Sequence, residues 1–209
     1  MFIYWVYLLT FFGTSSYCFA KDYIYNDDEQ QKLLAYSKYK RALPLVSFNV
    51  IVVGYIGVKI FYLFYTEQPF HIVWSPIKFY LSLTSANILF YSIHRLFHSV
   101  PIISKYHRVH HDFKEPIGLR AAYTHPIDYF FGNMIPLGIT PFIIGTDTIT
   151  FAVITIMSIY NTVIEEHSNY NTSRHHLDHH KYFNCNYGAI WLDKFFNTLR
   201  ITDNIKLKN

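Results

Sequence analysis

Residues 45–65 read LVSFNVIVVGYIGVKIFYLFY, a stretch in which Lys59 is the only charged side chain. A helix needs about 20 such residues to cross the hydrocarbon core of a bilayer. Three further stretches have the same apolar character, at residues 72–93, 129–146 and 148–164. Short connections join the first to the second and the third to the fourth. The pattern predicts an all-α integral membrane protein with two transmembrane helical hairpins.

The composition agrees with this prediction. Hydrophobic residues make up 51% of the chain and charged residues only 15%, against roughly 25% charged residues in an ordinary soluble domain. The net charge of +4 comes without a long basic run, which argues against nucleic-acid binding. Cys18 and Cys185 form no CxxC motif, so neither a disulfide framework nor a thiolate metal site is indicated.

Basic residues indicate how the hairpins are oriented. They precede the first segment, follow the second and follow the fourth, whereas the connection between the third and fourth has none. They are Lys38, Lys40, Arg41, Arg95, Lys105, Arg108, Lys114, Arg120, Arg174, Lys181, Lys194 and Arg200. The positive-inside rule places these regions in the cytosol. We therefore predict that the hairpins are capped by a cytosolic, helical, histidine-rich region.

The first twenty residues, MFIYWVYLLTFFGTSSYCFA, have two interpretations. They could be a signal peptide that ends at Ala20, but no basic residue precedes the apolar stretch, as such peptides normally require. Cleavage would also leave the basic residues 38–41 in the lumen, so we favour an uncleaved anchor or interfacial helix. The predicted organisation is an anchor and linker (1–44), a membrane domain (45–200) and a short tail (201–209).

Histidines dominate the polar part of the sequence. Eleven of the twelve lie between His94 and His180, and most fall in three groups that read HRLFH, HRVHH and HHLDHH. His94 and His98 are four residues apart and therefore share one face of a helix. The other two groups repeat an HxxHH spacing. This repeat suggests two equivalent half-sites, each with one ligand from the preceding helical turn and two adjacent ligands.

Imidazole suits this clustering because a pKa of about 6.5 leaves it largely neutral and ready to bind a metal at cytosolic pH. The histidines of the three groups, together with His125 and His167, are too many for one ion and enough for two. Histidines at a membrane interface could explain one or two of them, and we assign that role to His71. Either His175 or His176 could begin the last group, and the HxxHH spacing favours His176.

Other metal chemistry fits less well. The HExxH helix of zinc hydrolases needs a glutamate where Arg95 stands, and structural zinc sites usually employ cysteine. Redox chemistry remains, since a pair of irons can activate dioxygen to attack an unactivated C–H bond. The bilayer setting then suggests a lipid substrate.

At these residues the chain resembles the fatty acid hydroxylase and sterol desaturase superfamily, whose signature is HxxxH, HxxHH and a later HxxHH. The segments YHRVHHDFKEPIGLRAAYTHP and SRHHLDHHKYFNCNYGAIWLDKFFNT are most similar to those of the sterol carbon-4 methyl oxidases. The resemblance covers residues 45–200. The metal ligands and catalytic residues that it implies are His94, His98, His107, His110, His111, His176, His179 and His180. His125 and His167 are implied as additional ligands.

The resemblance implies a methylsterol monooxygenase of the endoplasmic reticulum that oxidises the carbon-4 methyl group of a sterol. Its cofactors would be two iron ions, which zinc can replace in preparations, and dioxygen would be the co-substrate. Electrons would come from a cytochrome b5 or a reductase, because the chain has no GxGxxG fingerprint. Arg108, Lys114 and Arg120 could dock that carrier. Asp178 and Asp193 could orient ligand imidazoles or be solvated surface carboxylates.

Two alternatives stay open. The chain could be another lipid hydroxylase or a sterol desaturase of the same superfamily, because the histidine groups do not separate these activities. It could also be a metal-binding membrane protein without catalytic activity. The second alternative rests on the short sequence SNYNTSRH between His167 and His176, where members of the family usually have a longer insert.

Overall fold

The computed structural model describes residues 1–114, 116–170 and 175–201, and within these ranges it contains helices and no strand. The α-helices are α1 (Phe2–Phe19), α2 (Glu29–Ser47), α3 (Gly54–Phe64), α4 (Trp74–Ser99), α5 (Pro101–Asp112), α6 (Pro126–Asp128), α7 (Ile135–Ile144), α8 (Thr148–Tyr160), α9 (His175–Tyr182) and α10 (Ile190–Phe195). Segments with π-helical winding are Ala20–Ile24, Phe48–Val53, Tyr129–Met134 and Asn161–Glu166, and Gly118–Ala122 is a 3₁₀ helix. The prediction of an all-α protein is confirmed.

Within the described ranges, four helical segments are long and apolar enough to cross a membrane: Phe2–Ile24, Glu29–Phe64, Pro126–Ile144 and Thr148–Glu166. Large apolar side chains on them face outward, and Leu63, for example, is 81% exposed. Such exposure has a physical reason when the surrounding solvent is lipid. The chain is therefore a multi-pass membrane protein.

The predicted set of spanning segments needs one correction. Residues 74–93 of this predicted segment lie in α4, which is not among the four segments, whereas the N-terminal segment Phe2–Ile24 is. Counting charges alone singled out Lys78 and overlooked uncharged polar residues such as Ser82, Thr84 and Asn87, which lower the hydropathy of α4. The pair of segments 129–146 and 148–164 corresponds closely to the last two spans.

Local sequence signals set the ends of several helices. The Asp28 carboxylate accepts a hydrogen bond of 2.8 Å from the Gln30 amide at the start of α2, and Asp147 accepts one of 2.9 Å from Thr150 at the start of α8. Both are side-chain caps for amides that lack a partner within the helix. Gly145 ends α7 with a φ of +69°, a conformation that favours glycine.

The N-terminal helix belongs to the core of the molecule. α1 packs along α8, and its Tyr4, Tyr7, Phe11 and Cys18 are buried in the main hydrophobic cluster. The predicted boundary between residues 44 and 45 falls inside the helical segment Glu29–Phe64. Of the predicted tail, only Ile201 lies within the described residues.

Candidate metal centre

Nine buried or half-buried histidines meet where the end of α4 approaches α5, α9 and His167. They form two adjoining groups, and within each group one potential ligand atom per residue lies within 4.8 Å of all the others. The five-histidine group consists of His94, His98, His107, His111 and His179. The four-histidine group consists of His110, His167, His176 and His180. The chain therefore has the ligands to hold metal at two adjacent places.

Each HxxHH motif is divided between the two groups. His107 and His111 of α5 enter the five-histidine group, whereas His110 enters the other. Adjacent residues on a helix point about 100° apart, while residues four apart differ by only about 40°. The interpretation of each HxxHH motif as its own half-site is therefore wrong, because α5 and α9 are continuous helices that do not splay adjacent side chains into one site.

The Nε2 atoms of the five-histidine group point inward. His111 Nε2 lies 3.1 Å from His107 Nε2, 3.2 Å from His98 Nε2 and 3.2 Å from His179 Nε2. The opposite nitrogens point outward, where His94 Nδ1 donates to the Tyr187 carbonyl at 2.6 Å and His179 Nδ1 to the Cys185 carbonyl at 2.7 Å. These partners select the tautomer with the proton on Nδ1, which leaves Nε2 free to bind a metal.

Asp128 provides the carboxylate of the site. His107 Nδ1 lies 2.9 Å from Asp128 Oδ2, and both side chains are buried. Thr124 also donates a hydrogen bond to Asp128. Gly132 leaves the space that this carboxylate occupies, since a Cβ there would lie 2.8 Å from Asp128 Oδ1. The sequence reasoning missed Asp128, although a lone acidic residue directly before the uncharged stretch 129–146 was an available signal.

The four-histidine group is held by backbone carbonyls. His110 Nδ1 donates to the Tyr123 carbonyl at 3.2 Å, and His167 Nδ1 to the Thr162 carbonyl at 2.7 Å. The Nε2 atoms of these two residues then face each other at 3.3 Å. His167 directly follows the π-helical segment Asn161–Glu166. It is the isolated histidine that was predicted as an additional ligand before the final histidine group.

The donor set fits a metal. Two unprotonated nitrogens that face each other at about 3 Å repel unless a cation lies between them. Buried ring nitrogens of His176 and His180 have no hydrogen-bond partner among the described residues. Burial, followed by the charges of neighbouring histidines and Arg120, lowers the pKa of His110, His176 and His180 well below 6.5. Neutral imidazoles at this spacing could bind a metal without first losing a proton.

The structure places the remaining histidines elsewhere. His125 lies outside both groups, and its Nδ1 accepts a hydrogen bond of 3.2 Å from the Ile127 amide at the start of α6. His71 accepts from the Val73 amide at 3.2 Å in the turn before α4. His175 contacts Asp193 at 3.3 Å, and it is His176 that joins a group.

Asp193 acts on the site through the backbone. Its carboxylate accepts hydrogen bonds from the Tyr187 amide at 2.9 Å and the Gly188 amide at 3.2 Å, and the Tyr187 carbonyl in turn accepts from His94. Asp193 is fully buried, and Asp178 is 8% exposed. The alternative of two solvated surface carboxylates is therefore wrong.

The basic residues predicted to dock an electron carrier differ in exposure. Arg108 and Lys114 are exposed, but Arg120 is only 1% exposed. Its charge acts on His110, His167, His176 and His180. The docking role is therefore wrong for Arg120, which instead places a buried positive charge beside the four-histidine group.

A cavity of about 470 Å³ reaches this site from the membrane-facing helices. Apolar side chains such as Phe11, Phe90, Met134 and Leu137 line much of it, and His176 lies at its metal-centre end. A smaller cavity, lined by histidines of both groups, adjoins it. The volume is within the range of about 300–1,000 Å³ that is typical of pockets for small molecules.

Comparison with known proteins identifies relatives of the chain. Residues 79–198 match the model of the fatty acid hydroxylase family. Fatty acid hydroxylase ahd1 of Mycosarcoma maydis is 30% identical over 78% of this chain and 46% of its own length. Human fatty acid hydroxylase domain-containing protein 2 is 28% identical over 73% of this chain and 49% of its own length.

Methylsterol monooxygenase 1 of Rattus norvegicus is 34% identical over a shorter region, with 52% of this chain and 41% of its own length covered. The chain spans about half the length of the curated relatives it matches. No solved structure matches it.

Proposed function

Because this chain belongs to the fatty acid hydroxylase family, we propose that it is a membrane-bound di-iron oxygenase that oxidises the carbon-4 methyl group of a sterol. The observation that carries the proposal is the pair of adjoining histidine groups at the end of an apolar cavity. Its nine imidazoles would hold two iron ions, which supply the activation of dioxygen. Zinc could occupy the same ligands in a preparation.

The chain's own residues have three tasks in this reaction. The histidines would hold the metal, while Asp128 and the carbonyls of Tyr187, Cys185, Tyr123 and Thr162 fix the orientation of five of their rings. The apolar cavity excludes water and presents a lipid to the four-histidine group. Electrons enter from a partner such as a cytochrome b5 or a reductase, for which exposed Arg108 and Lys114 offer positive charge.

The location follows from the same reasoning. Basic residues flank the histidine-rich helices, which favours a cytosolic position for the metal centre. Relatives that include methylsterol monooxygenase 1 support a sterol substrate and, with it, residence in the endoplasmic reticulum. The structure describes only part of the stretch between His167 and His176, since residues 171–174 lie outside the described ranges.

A second candidate function is fatty acid hydroxylation. The observation that favours it is the match to fatty acid hydroxylase ahd1, which covers more of this chain than the match to methylsterol monooxygenase 1. Both functions use the same metal centre. They differ in the shape and polarity of the molecule that the cavity accepts.

The test is elemental mass spectrometry of the purified protein, paired with sterol and fatty acid profiling of cells that lack it. We expect about two irons per chain and accumulated 4-methylsterols. Two irons with unchanged sterols and a loss of hydroxylated fatty acids would favour the second function. One zinc or no metal, with unchanged lipids, would contradict both and favour a metal-binding protein without catalytic activity.

A further inference from the structure

The substrate cavity and the smaller cavity beside the histidines share part of their walls. Six residues border both: Phe90, Ala121, Asn133, Thr162, Glu166 and His176. We call this shared wall the junction. A substrate atom that is to react must lie at the junction, because there the apolar cavity meets the histidines.

Besides Thr162 and the His176 imidazole, the junction contains two polar side chains, Asn133 and Glu166. Asn133 is half-buried, and its amide forms no hydrogen bond with the residues that the structure describes. Glu166 Oε1 accepts a hydrogen bond of 2.8 Å from Asn161, which leaves its second oxygen without a partner among the described residues. A half-buried amide and a carboxyl oxygen beside an apolar cavity are costly unless water or a ligand binds them.

The charge of the cavity restricts what that ligand can be. Glu165 and Glu166 line it, whereas no Lys or Arg does so within the described part of the chain. A free carboxylate at the junction would therefore find no Lys or Arg among the described lining residues and would lie close to the Glu166 carboxyl group. A hydroxyl group is complementary, because it donates one hydrogen bond to a carboxyl oxygen and accepts another from an amide.

We propose that Asn133 and Glu166 form a subsite for an uncharged hydroxyl group. The carbon to be oxidised then lies within one or two bonds of the carbon that bears this hydroxyl. This inference rests on the proposed function and narrows its substrate class. A 4-methylsterol meets the requirement, since its 4-methyl carbon is two bonds from carbon 3, which bears the hydroxyl. A fatty acid that binds as its carboxylate does not.

The test is equilibrium binding to the metal-loaded, full-length protein in lipid nanodiscs. The probes are a 4,4-dimethylsterol, the same sterol with its 3-hydroxyl replaced by hydrogen, and palmitate. A hydrogen-bonded hydroxyl is worth about tenfold in affinity. We expect the alcohol to bind about tenfold more tightly than the deoxy sterol, and palmitate not to compete with it.

Variants locate the effect. Asn133→Leu keeps the approximate size of the side chain and Glu166→Gln keeps its shape, and each should reduce the preference for the alcohol while metal content stays unchanged. Ser158→Ala is the matched control, because Ser158 borders the large cavity and not the junction. It should retain the tenfold preference.

The outcomes separate the two proposals. Equal binding of the alcohol and the deoxy sterol, or palmitate that competes as well as the alcohol, would overturn the hydroxyl subsite and leave the oxygenase proposal intact. A preference that persists in both junction variants would also overturn the subsite. Failure of both sterols to bind a protein that contains its metal would overturn the proposed sterol substrate together with the subsite.

Discussion

The two histidine groups use the same side chain in different surroundings. The five-histidine group has a carboxylate behind it, since Asp128 accepts a hydrogen bond from His107. The four-histidine group has backbone carbonyls behind His110 and His167 and the positive charge of Arg120 beside it. A negative neighbour strengthens the binding of a cation and a positive neighbour weakens it. We therefore expect the five-histidine group to bind its metal more tightly.

The groups also differ in what they face. His176 of the four-histidine group borders the large cavity, whereas no member of the five-histidine group does so in the described part of the chain. A centre with fewer protein ligands has positions left for small molecules. This difference favours distinct roles for the two groups. The metal of the four-histidine group would contact dioxygen and substrate, and the five-histidine group would hold the four-histidine group in position.

Loss of one ligand from each group gives the largest expected effect. His110→Ala and His111→Ala should each abolish turnover, with losses beyond the roughly 10- to 100-fold that removal of an outer partner costs. His110→Ala should also reduce the metal content from about two ions to one. Elemental mass spectrometry and product analysis measure both effects. Retained turnover in His110→Ala would show that this residue is not a catalytic ligand.

Replacement of Asp128 should affect the two groups unequally. Asp128→Asn removes the charge behind His107, and metal affinity at the five-histidine group should fall about 10- to 100-fold. The affinity of the other group should stay the same, which titration of the metal-free protein can resolve in two steps. Asp112→Asn is the matched control, because Asp112 lies exposed at the end of α5. Equal weakening of both steps would contradict the proposed difference.

The pH dependence of stability should differ between metal-free and metal-loaded protein. Burial lowers the pKa of His167 to about 3 and that of His110 well below 6.5, so the unfolded chain takes up protons more readily than the folded one. The stability of the metal-free protein is then complete above about pH 6.5 and falls as the pH decreases toward 3.

Thermal unfolding between pH 7.5 and 5 measures this effect. The midpoint of the metal-free protein should stay constant between pH 7.5 and about 6.5 and decrease steadily from there to pH 5. The midpoint of the metal-loaded protein should stay constant until protons displace the metal from its imidazoles. A midpoint of the metal-free protein that does not change with pH would mean that these imidazoles are not held neutral by burial.

The smallest effect is expected at His125. Its side chain accepts from the Ile127 amide and lies outside both groups. His125→Ala should keep about two metal ions and lose about 1 kcal/mol of stability, as expected for a lost helix cap. His125→Asn should restore that stability. A lower metal content in His125→Ala would instead support the ligand role that the sequence predicted.

Much of the fold and of the histidine cluster could be predicted because each rests on a local pattern. The apolar composition of segments 129–146 and 148–164 is sufficient to predict that they are helices. Nine of the ten predicted ligands meet in the two described groups, since spacings of three and four residues have a direct meaning on a helix. His125 was predicted as a metal ligand because it is an imidazole like the others. It stands directly before Pro126, however, and its ring caps the helix that begins there.

The remaining features depend on contacts between distant residues. Asp128 becomes part of the site only because α6 approaches α5, and no spacing relates it to His107. The division of each HxxHH motif required the knowledge that α5 and α9 continue unbroken through their histidines. The burial of Arg120 was also hidden, because the sequence shows a charge but not what covers it.

The contact between α1 and α8 has a consequence for the order of synthesis. Of the helices described here α1 is made before the others, yet α8 begins at Thr148, which follows Phe19 by more than half of the chain. Pairings of such long separation form late. Tyr7 and Phe11, which border the cavity, therefore lie in the bilayer without α8 beside their helix until most of the protein has been translated. A nascent chain halted before residue 148 would carry two histidine motifs and an open cavity.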